Sequence, residues 1–329
     1  AVVEPEHLTA RQKYEIDRFL CRGGSVLMAV QNYEFNYKPE DRGAITLVPS
    51  EKEPGVNDRL SAWGFGVDAS VLADEQAETI TLSGQGSAAL LGISIPVKLP
   101  VQILLTEAEM NSEVSITSRL SAFFYLWGSA LKIDEAKVKA EGLRVQPLFH
   151  STKNSWTVPF KERGMTIQDL MRKTKNFQGP FPLAVLAEGQ FADAFQGKKT
   201  PAWTSEESPA ATPASKPVQK APVEEAVLKP GKLILIGAAT PFQKQLMQNG
   251  GHLNFFLNAI DALTLGDALI GIRSKGQVSR MLPKVPVSAK VLWRLLVTAL
   301  MPALIALLGF GRAYLRRRAK QVYLKSLIA

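Results

Sequence analysis

The sequence predicts an α/β domain with an additional β-rich part, followed by a C-terminal transmembrane helix. Three observations lead there. Near the N-terminus a strand end, an amphipathic helix, a Gly-Gly stop and an apolar run form one βαβ step. Far downstream, Lys232-Leu233-Ile234-Leu235-Ile236-Gly237 reads as another buried strand. Finally, Leu295–Gly311 is a run of 17 uncharged residues, close to the roughly 20 that cross a hydrocarbon core.

In order, Val2-Val3 reads as the tail of a strand, and the protein is expected to extend upstream of Ala1. No charged-then-apolar signal segment opens the chain. Leu8–Leu20 is an amphipathic helix with Thr9 as N-cap and Tyr14, Ile16, Phe19 and Leu20 at helical spacing. Gly23-Gly24 ends it, and Ser25–Val30 follows as a buried strand in a parallel sheet. Asn57–Gly66 reads as a short helix with a Gly exit, and Val67–Asp74 as an edge strand. Ile93–Leu104 is a strand that Pro96 and Pro100 make edge or irregular. Ile116–Trp127 fits a strand pair or a short helix, Leu143–Phe149 a strand, and Met165–Met171 a helix. Pro180–Gly189 is a strand with a proline start. Six prolines between 201 and 230 mark a linker or disordered insertion. After the strand Lys232–Gly237 come a helix over Leu253–Leu265 and a short strand over Asp267–Arg273.

Charge separates the C-terminus from the rest. From Ala268 to Ala329 there are twelve Lys and Arg and no Asp or Glu, so the other 267 residues carry 27 − 30 = −3 of the net +9. A nucleic-acid-binding protein would carry its excess on a folded domain; here it flanks one apolar run, which excludes nucleic acid and points to membrane lipid. The 25 residues 291–315 contain only Arg294 and Arg312 as charges, one near each end, where long cations snorkel to headgroups. Trp293 and Tyr314 occupy interfacial positions, and Pro302 is a kink that membrane helices tolerate. Arg316, Arg317 and Arg318 complete the expected anchor. Six basic residues lie on each side, with the tighter cluster after the span, so the bulk is placed outside and the tail inside.

The expected organisation is an extracytoplasmic α/β domain over 1–200 without its upstream part, a Pro-rich insertion over 201–230, and a closing β-α-β of the same domain over 231–273. A basic neck (274–290), the transmembrane helix (291–315) and a basic cytoplasmic tail (316–329) follow.

No chemistry-bearing constellation emerges. One cysteine, Cys21, excludes a disulfide framework and Cys-based zinc clusters. The three histidines lack metal-ligand spacing. Gly-rich spots match neither phosphate-binding fingerprint, and GxSxG and SxxK do not occur. Cys21 sits at a predicted helix C-terminus, where the dipole disfavours a thiolate. No catalytic, cofactor-binding or metal-binding residue is assigned, and no cofactor is expected. Trp63 and Trp156 are the candidates for a ligand surface.

Ordered motifs along the chain resemble the gliding-motility-type ABC-transporter auxiliary family (GldG-like). The similar positions are Pro5, Leu8, Tyr14, Ile16, Asp17, Arg22, Gly23 and Gly24; Trp63-Gly64-Phe65-Gly66-Val67 with Asp74; Phe181–Val185; Gly189, Gln190, Phe191, Ala194 and Phe195; Lys232–Gly237; Asn254–Ala259; and Ile270–Arg273 ahead of the span. The family's Gly-Asp-Ser after the late strand is replaced by Gly237-Ala238-Ala239-Thr240. The resemblance implies a flavodoxin-like or amidotransferase-like domain without an amidotransferase active site, its late strand returning to the same sheet. It also implies a non-enzymatic subunit in the bacterial inner membrane, with an ABC-2-type permease and an ATPase as partners and the α/β domain periplasmic. The alternative is a membrane-anchored extracytoplasmic glycan- or peptide-binding protein or cell-wall enzyme, with a cell-wall component as partner.

Overall fold

The computed structural model describes residues 1–39, 45–83, 94–162, 164–171, 177–203, 228–248, 251–264 and 287–326. They divide between two compact units, Ala1–Ser279 and Arg280–Ala329.

The first unit is built on a five-stranded sheet. Strands β1 (Val2–Val3), β2 (Ser25–Ala29), β11 (Arg144–His150), β14 (Pro182–Gly189) and β15 (Gly231–Ile236) lie in the order β1-β2-β15-β14-β11. β1, β2 and β15 run parallel; β14 and β11 are antiparallel to their neighbours. A flavodoxin-like sheet is parallel throughout, so this mixed sheet departs from that expectation. The strand after the Pro-rich stretch does join the same sheet, between β2 and β14.

The N-terminal step forms as its residues dictate. Helix α1 (Ala10–Cys21) starts at Thr9, whose hydroxyl accepts from the Gln12 backbone while the Gln12 side chain caps the Thr9 N–H, a reciprocal capping box. It ends where the Gly23 and Gly24 N–H groups donate to the Leu20 and Phe19 carbonyls, a Schellman exit. Gly23 has φ +89°, a region that favours glycine. A Cβ on Gly24 would lie 2.4 Å from the Phe19 carbonyl oxygen.

Side-chain alternation then makes two cores. Leu27, Ala29, Ala184, Leu186, Ile234 and Ile236 face one way, against Phe255, Ala259 and Ala262 of a later helix. Val26, Met28, Val185, Ala187, Leu233 and Leu235 face the other way, against Leu20, Cys21, Leu60, Trp63 and Val138. The period of two along each strand is what divides them. Helices α1, α2 (Asn57–Ala62) and α3 (Glu135–Ala140) therefore cover one face, and α5 (His252–Thr264) covers the other.

The β-rich part is a set of small antiparallel sheets. β3 (Tyr33–Pro39) and β4 (Ile45–Glu51) pair, with β13 (Met165–Thr166) beyond β4. β7 (Ala77–Ser83), β8 (Ser94–Thr106) and β9 (Ala122–Leu126) form another sheet. β5 (Phe65–Val67) pairs with β10 (Leu131–Ile133), and β6 (Val71–Asp74) with β12 (Ser155–Val158). A third core of Tyr33, Phe35, Leu47, Val97, Leu99 and Val101 fills this part.

Several expectations need correction. Val67–Asp74 is not one strand: Asp68 accepts from the Ser70 N–H and turns the chain between β5 and β6. β8 is the middle strand of its sheet and is irregular, as its prolines suggest: Pro96 lies opposite Thr81 where β7 alone pairs with it, and Pro100 lies in the register shift between Lys98 and Ile103, where neither neighbour pairs with it. Ile116–Trp127 yields one strand, β9. Met165–Met171 opens with β13 and makes only a single helical turn, α4 (Ile167–Leu170). The readings for most of 201–230, for 267–273 and for most of the neck lie outside the described residues.

The second unit contains α6 (Val287–Ser326), a 40-residue helix that continues through Pro302. Within its stretch Val291–Ala319 the most apolar 18 residues have mean hydropathy 2.2, and the helix is long and apolar enough to cross a membrane. The helix extends beyond residue 315, so the segment expected as a separate tail is helical as far as Ser326.

Candidate functional site

In open α/β sheets ligands settle outside the carboxyl ends of the parallel strands. Here that position is occupied by side chains. Gln31, just past β2 and 1 % exposed, donates from Nε2 to the Tyr33 and Trp127 carbonyls at 2.6 and 2.8 Å. Its Oε1 accepts from the Ala239 and Thr240 N–H groups, just past β15, at 2.8 and 3.2 Å. Asn32 donates to the Asp68 carbonyl and to Ser129 Oγ. A Cβ on Gly237 would lie 2.3 Å from the Ser129 carbonyl oxygen. The crevice is thus filled by a hydrogen-bond network, in which the buried Thr240 hydroxyl alone is left without a partner among the described residues. Next to it, Ala238 has no polar side chain to present.

A second cluster lies on the opposite side of the sheet, along α1. Tyr14, Asp17, Arg18 and Cys21 recur at i, i+3, i+4 and i+7, so they share one helical face. Facing them is the loop after β14, Phe191–Phe195. The Arg18 guanidinium lies 3.3 Å from the Asp193 carboxylate. Cys21 Sγ donates to the Phe191 carbonyl at 3.4 Å, and Trp63 Nε1 to the Ala192 carbonyl at 3.0 Å. Phe195 packs edge-on against Tyr14, with the Arg59 guanidinium 4.5 Å above its ring.

Asp17 is the unusual member. It is fully buried, and its Oδ1 has no hydrogen-bond partner. Burial, followed by the Asp193 charge, pushes its carboxyl up to about 7, against the Ala194 backbone hydrogen bond and the Arg59 charge. Burial and the same two carboxylates push the Cys21 thiol up to about 12. A thiol held that high has almost no thiolate near neutral pH, and the thiolate is the nucleophile. The cluster therefore joins α1, α2 and the 191–195 loop. The sequence signal for it was an acid on the apolar stripe of a helix, three residues after Tyr14 and four before Cys21.

The two tryptophans named as a ligand surface separate. Trp63 is fully buried between α2 and Phe191, its ring edge-on to that phenylalanine; it is a core anchor and presents no face to a ligand. Trp156 is 7 % exposed and lines an open cavity of about 350 Å³ with Leu99, Pro100, Met171, Lys98 and Glu75. Its indole N–H donates to the Leu170 carbonyl at 3.1 Å. Beneath it Asp74 is buried and accepts from the Thr152 N–H and hydroxyl and from the Gln76 N–H. A second cavity, of about 280 Å³, is lined by Glu113, Gln146, Leu186 and the linked ions Arg144, Glu188 and Lys232. Burial pushes the Glu188 carboxyl up, but hydrogen bonds from Arg144 and Lys232 outweigh it and hold the group below its ordinary value.

Among the described residues no three His, Cys, Asp or Glu groups converge as metal ligands. In α6, Trp293, Arg294, Pro302, Arg312, Tyr314, Arg316, Arg317 and Arg318 are all exposed, and none of the most apolar window is buried within the protein. Arg318 lies 5.5 Å over the Tyr314 ring, one turn away.

The fold thus defines a mixed-sheet α/β protein with a helix apolar enough to span a bilayer and a filled ligand crevice. The chain belongs to the family described as an ABC-type uncharacterized transport system (ABC_transp_aux), whose pattern matches residues 1–262. The family's name makes it an auxiliary component of an ABC-type transport system. No curated protein matches the chain. Among solved structures it is similar to the mmIFT52 N-terminal domain at 11 % identity, covering 78 % of this chain and 72 % of that one, with a TM-score of 0.36.

Proposed function

We propose that the chain is a non-catalytic, membrane-anchored auxiliary subunit of an ABC transporter, related to the gliding-motility type, and that it works beside an ABC-2-type permease and an ATPase. The observation that carries this is the family match over residues 1–262, followed in the same chain by a helix of spanning length. In this reading α6 crosses the bacterial inner membrane, the α/β unit is periplasmic and the basic end is cytoplasmic. Motion driven by ATP in the partners' helices reaches the outer domain through the helix around Pro302 and the Lys/Pro-rich neck Lys275–Lys290. The plugged crevice and the protonated Cys21 support a scaffolding or coupling role. The test is co-purification: tagged protein from native membranes brings down an ATPase and a permease, and their consistent absence would end this reading.

One observation favours a second reading. Trp156 lines an apolar cavity with charged rims at Lys98 and Glu75, a composition suited to stacking against a glycan ring or an extended peptide. Binding of cell-wall glycan fragments that is lost in Trp156→Ala would support it. Binding unchanged in Trp156→Ala would remove the cavity from consideration.

A further inference from the structure

The arginines that complete the anchor of the C-terminal helix have an arrangement around its axis that bears on what they bind. Between residues 287 and 326 there are eight Lys and Arg and no Asp or Glu. At 1.5 Å per residue, Arg294 and Arg312 are separated by about 27 Å, close to the roughly 30 Å of a hydrocarbon core. Those two guanidiniums bracket the apolar segment. The helix does not stop there. It continues unbroken to Ser326 and places Arg316, Arg317 and Arg318 within about 3 Å along its axis.

Their angular spread decides what they fit. At about 100° per residue, Arg316, Arg317 and Arg318 sweep about 200° around the helix, and Arg312 extends the sweep to about 240°. All four are exposed, and among the described residues none of them forms an ion pair. A protein partner would meet cations gathered on one face, and an amphipathic helix lying on a membrane surface would have them opposite an apolar face. Arg316, Arg317 and Arg318 share one depth, Arg312 lies about 6–9 Å nearer the apolar segment, and cations spread over about 240° suit ligands arriving from most sides in the plane of a bilayer. Arg318 stacks on Tyr314, an aromatic of the interfacial type, which sets that depth at the headgroups. Guanidinium groups recognise phosphate by paired hydrogen bonds.

We infer that Arg312, Arg316, Arg317 and Arg318 form a binding collar for the phosphate headgroups of anionic phospholipids. This rests on the proposal that α6 spans the membrane, and the experiment separates the two. The full chain is reconstituted in phosphatidylcholine vesicles containing about 20 % phosphatidylglycerol, an anionic surface of the kind that attracts basic segments, and spin-labelled lipids of each type report the motionally restricted shell around the protein. A preference for phosphatidylglycerol of about fivefold or more is expected, since one cation near an anionic surface supplies about that factor. It should fall toward unity in the triple variant Arg316→Gln, Arg317→Gln, Arg318→Gln and weaken with salt. A restricted shell that holds both lipids equally would overturn the collar while leaving the span intact. No restricted shell for either lipid would overturn the span itself, and the collar with it. A triple variant that keeps the lipid preference but loses co-purifying transport subunits would overturn the collar by reassigning the arginines to a protein contact.

Discussion

Replacing Asp17 by asparagine should stabilise the protein above neutral pH. The Asp17 carboxyl is fully buried beside Asp193 and is pushed up to about 7 from an ordinary 3.8. A raised folded-state pKa stabilises the fold while the group stays protonated. That contribution is complete below pH 3.8, declines as pH rises and is gone above about 7. About three pH units at about 1.4 kcal/mol each give a ceiling of about 4 kcal/mol, and relaxation of Arg18 and Arg59 toward the ionised group should leave about 2 kcal/mol. The asparagine side chain has nothing to ionise. Its amide can face Asp193 without charge, while its carbonyl keeps the place of the oxygen that accepts from the Ala194 backbone. Urea unfolding of the full chain in detergent, followed by tryptophan fluorescence, reads the effect; Trp63 is a local reporter because its indole bonds to Ala192 in the same loop. At about pH 4 the Asp17→Asn variant and the natural protein should agree within about 1 kcal/mol, and at about pH 8 the variant should be ahead by about 2 kcal/mol. A variant less stable at the higher pH would refute the reasoning, because it would show an ionised Asp17 held by Arg18 and Arg59.

Other changes test the remaining packing. Trp63→Ala should cost about 3–5 kcal/mol in denaturant unfolding, the range for a buried aromatic whose space cannot collapse. Thr9→Ala should cost about 1 kcal/mol by removing the α1 capping box, read in the same assay. His252 is buried between the Leu246 carbonyl and the Phe124 backbone, and burial holds its imidazole below the ordinary 6.5. Its contribution is therefore present above pH 6.5 and lost as pH falls through the lowered folded-state value; His252→Gln should flatten that acid limb of the stability profile. Gln31→Ala should leave the Ala239 and Thr240 N–H groups and the Trp127 carbonyl without their partner and cost about 2–3 kcal/mol, measured as a lowered unfolding midpoint.

Local chemistry made the N-terminal step legible. Thr9, Gln12 and the Gly23-Gly24 pair specify both ends of α1, and apolar runs mark β2, β14 and β15. Hydrophobic runs do not carry strand direction, so the reversal at β14, which runs against its neighbours β15 and β11 in an otherwise parallel sheet, was not readable. The prolines of β8 were visible, but the two half-ladders that accommodate them depend on β7 and β9, whose pairing no local pattern in β8 reveals. Trp63 and Trp156 look alike in a sequence; only the loop carrying Phe191 and Ala192 decides that one is core and the other lines a cavity. Asp17 and Asp193 lie on opposite sides of most of the α/β unit in sequence, so their coupling could not be read from spacing, even though both lie within or beside motifs the resemblance had marked. The apolar part of α6 was readable, because an uncharged run and freedom from acids are properties of composition; its continuation to Ser326 was not, because the basic residues after the run carry no apolar pattern that marks a helix.

The transporter-anchoring role depends most directly on α6 lying in lipid. Membranes from cells making the full chain, washed with alkaline carbonate, should retain it in the pellet and release it only with detergent. Recovery of the chain in the carbonate supernatant, folded and free of detergent, would contradict a spanning helix and the transporter-anchoring role built on it.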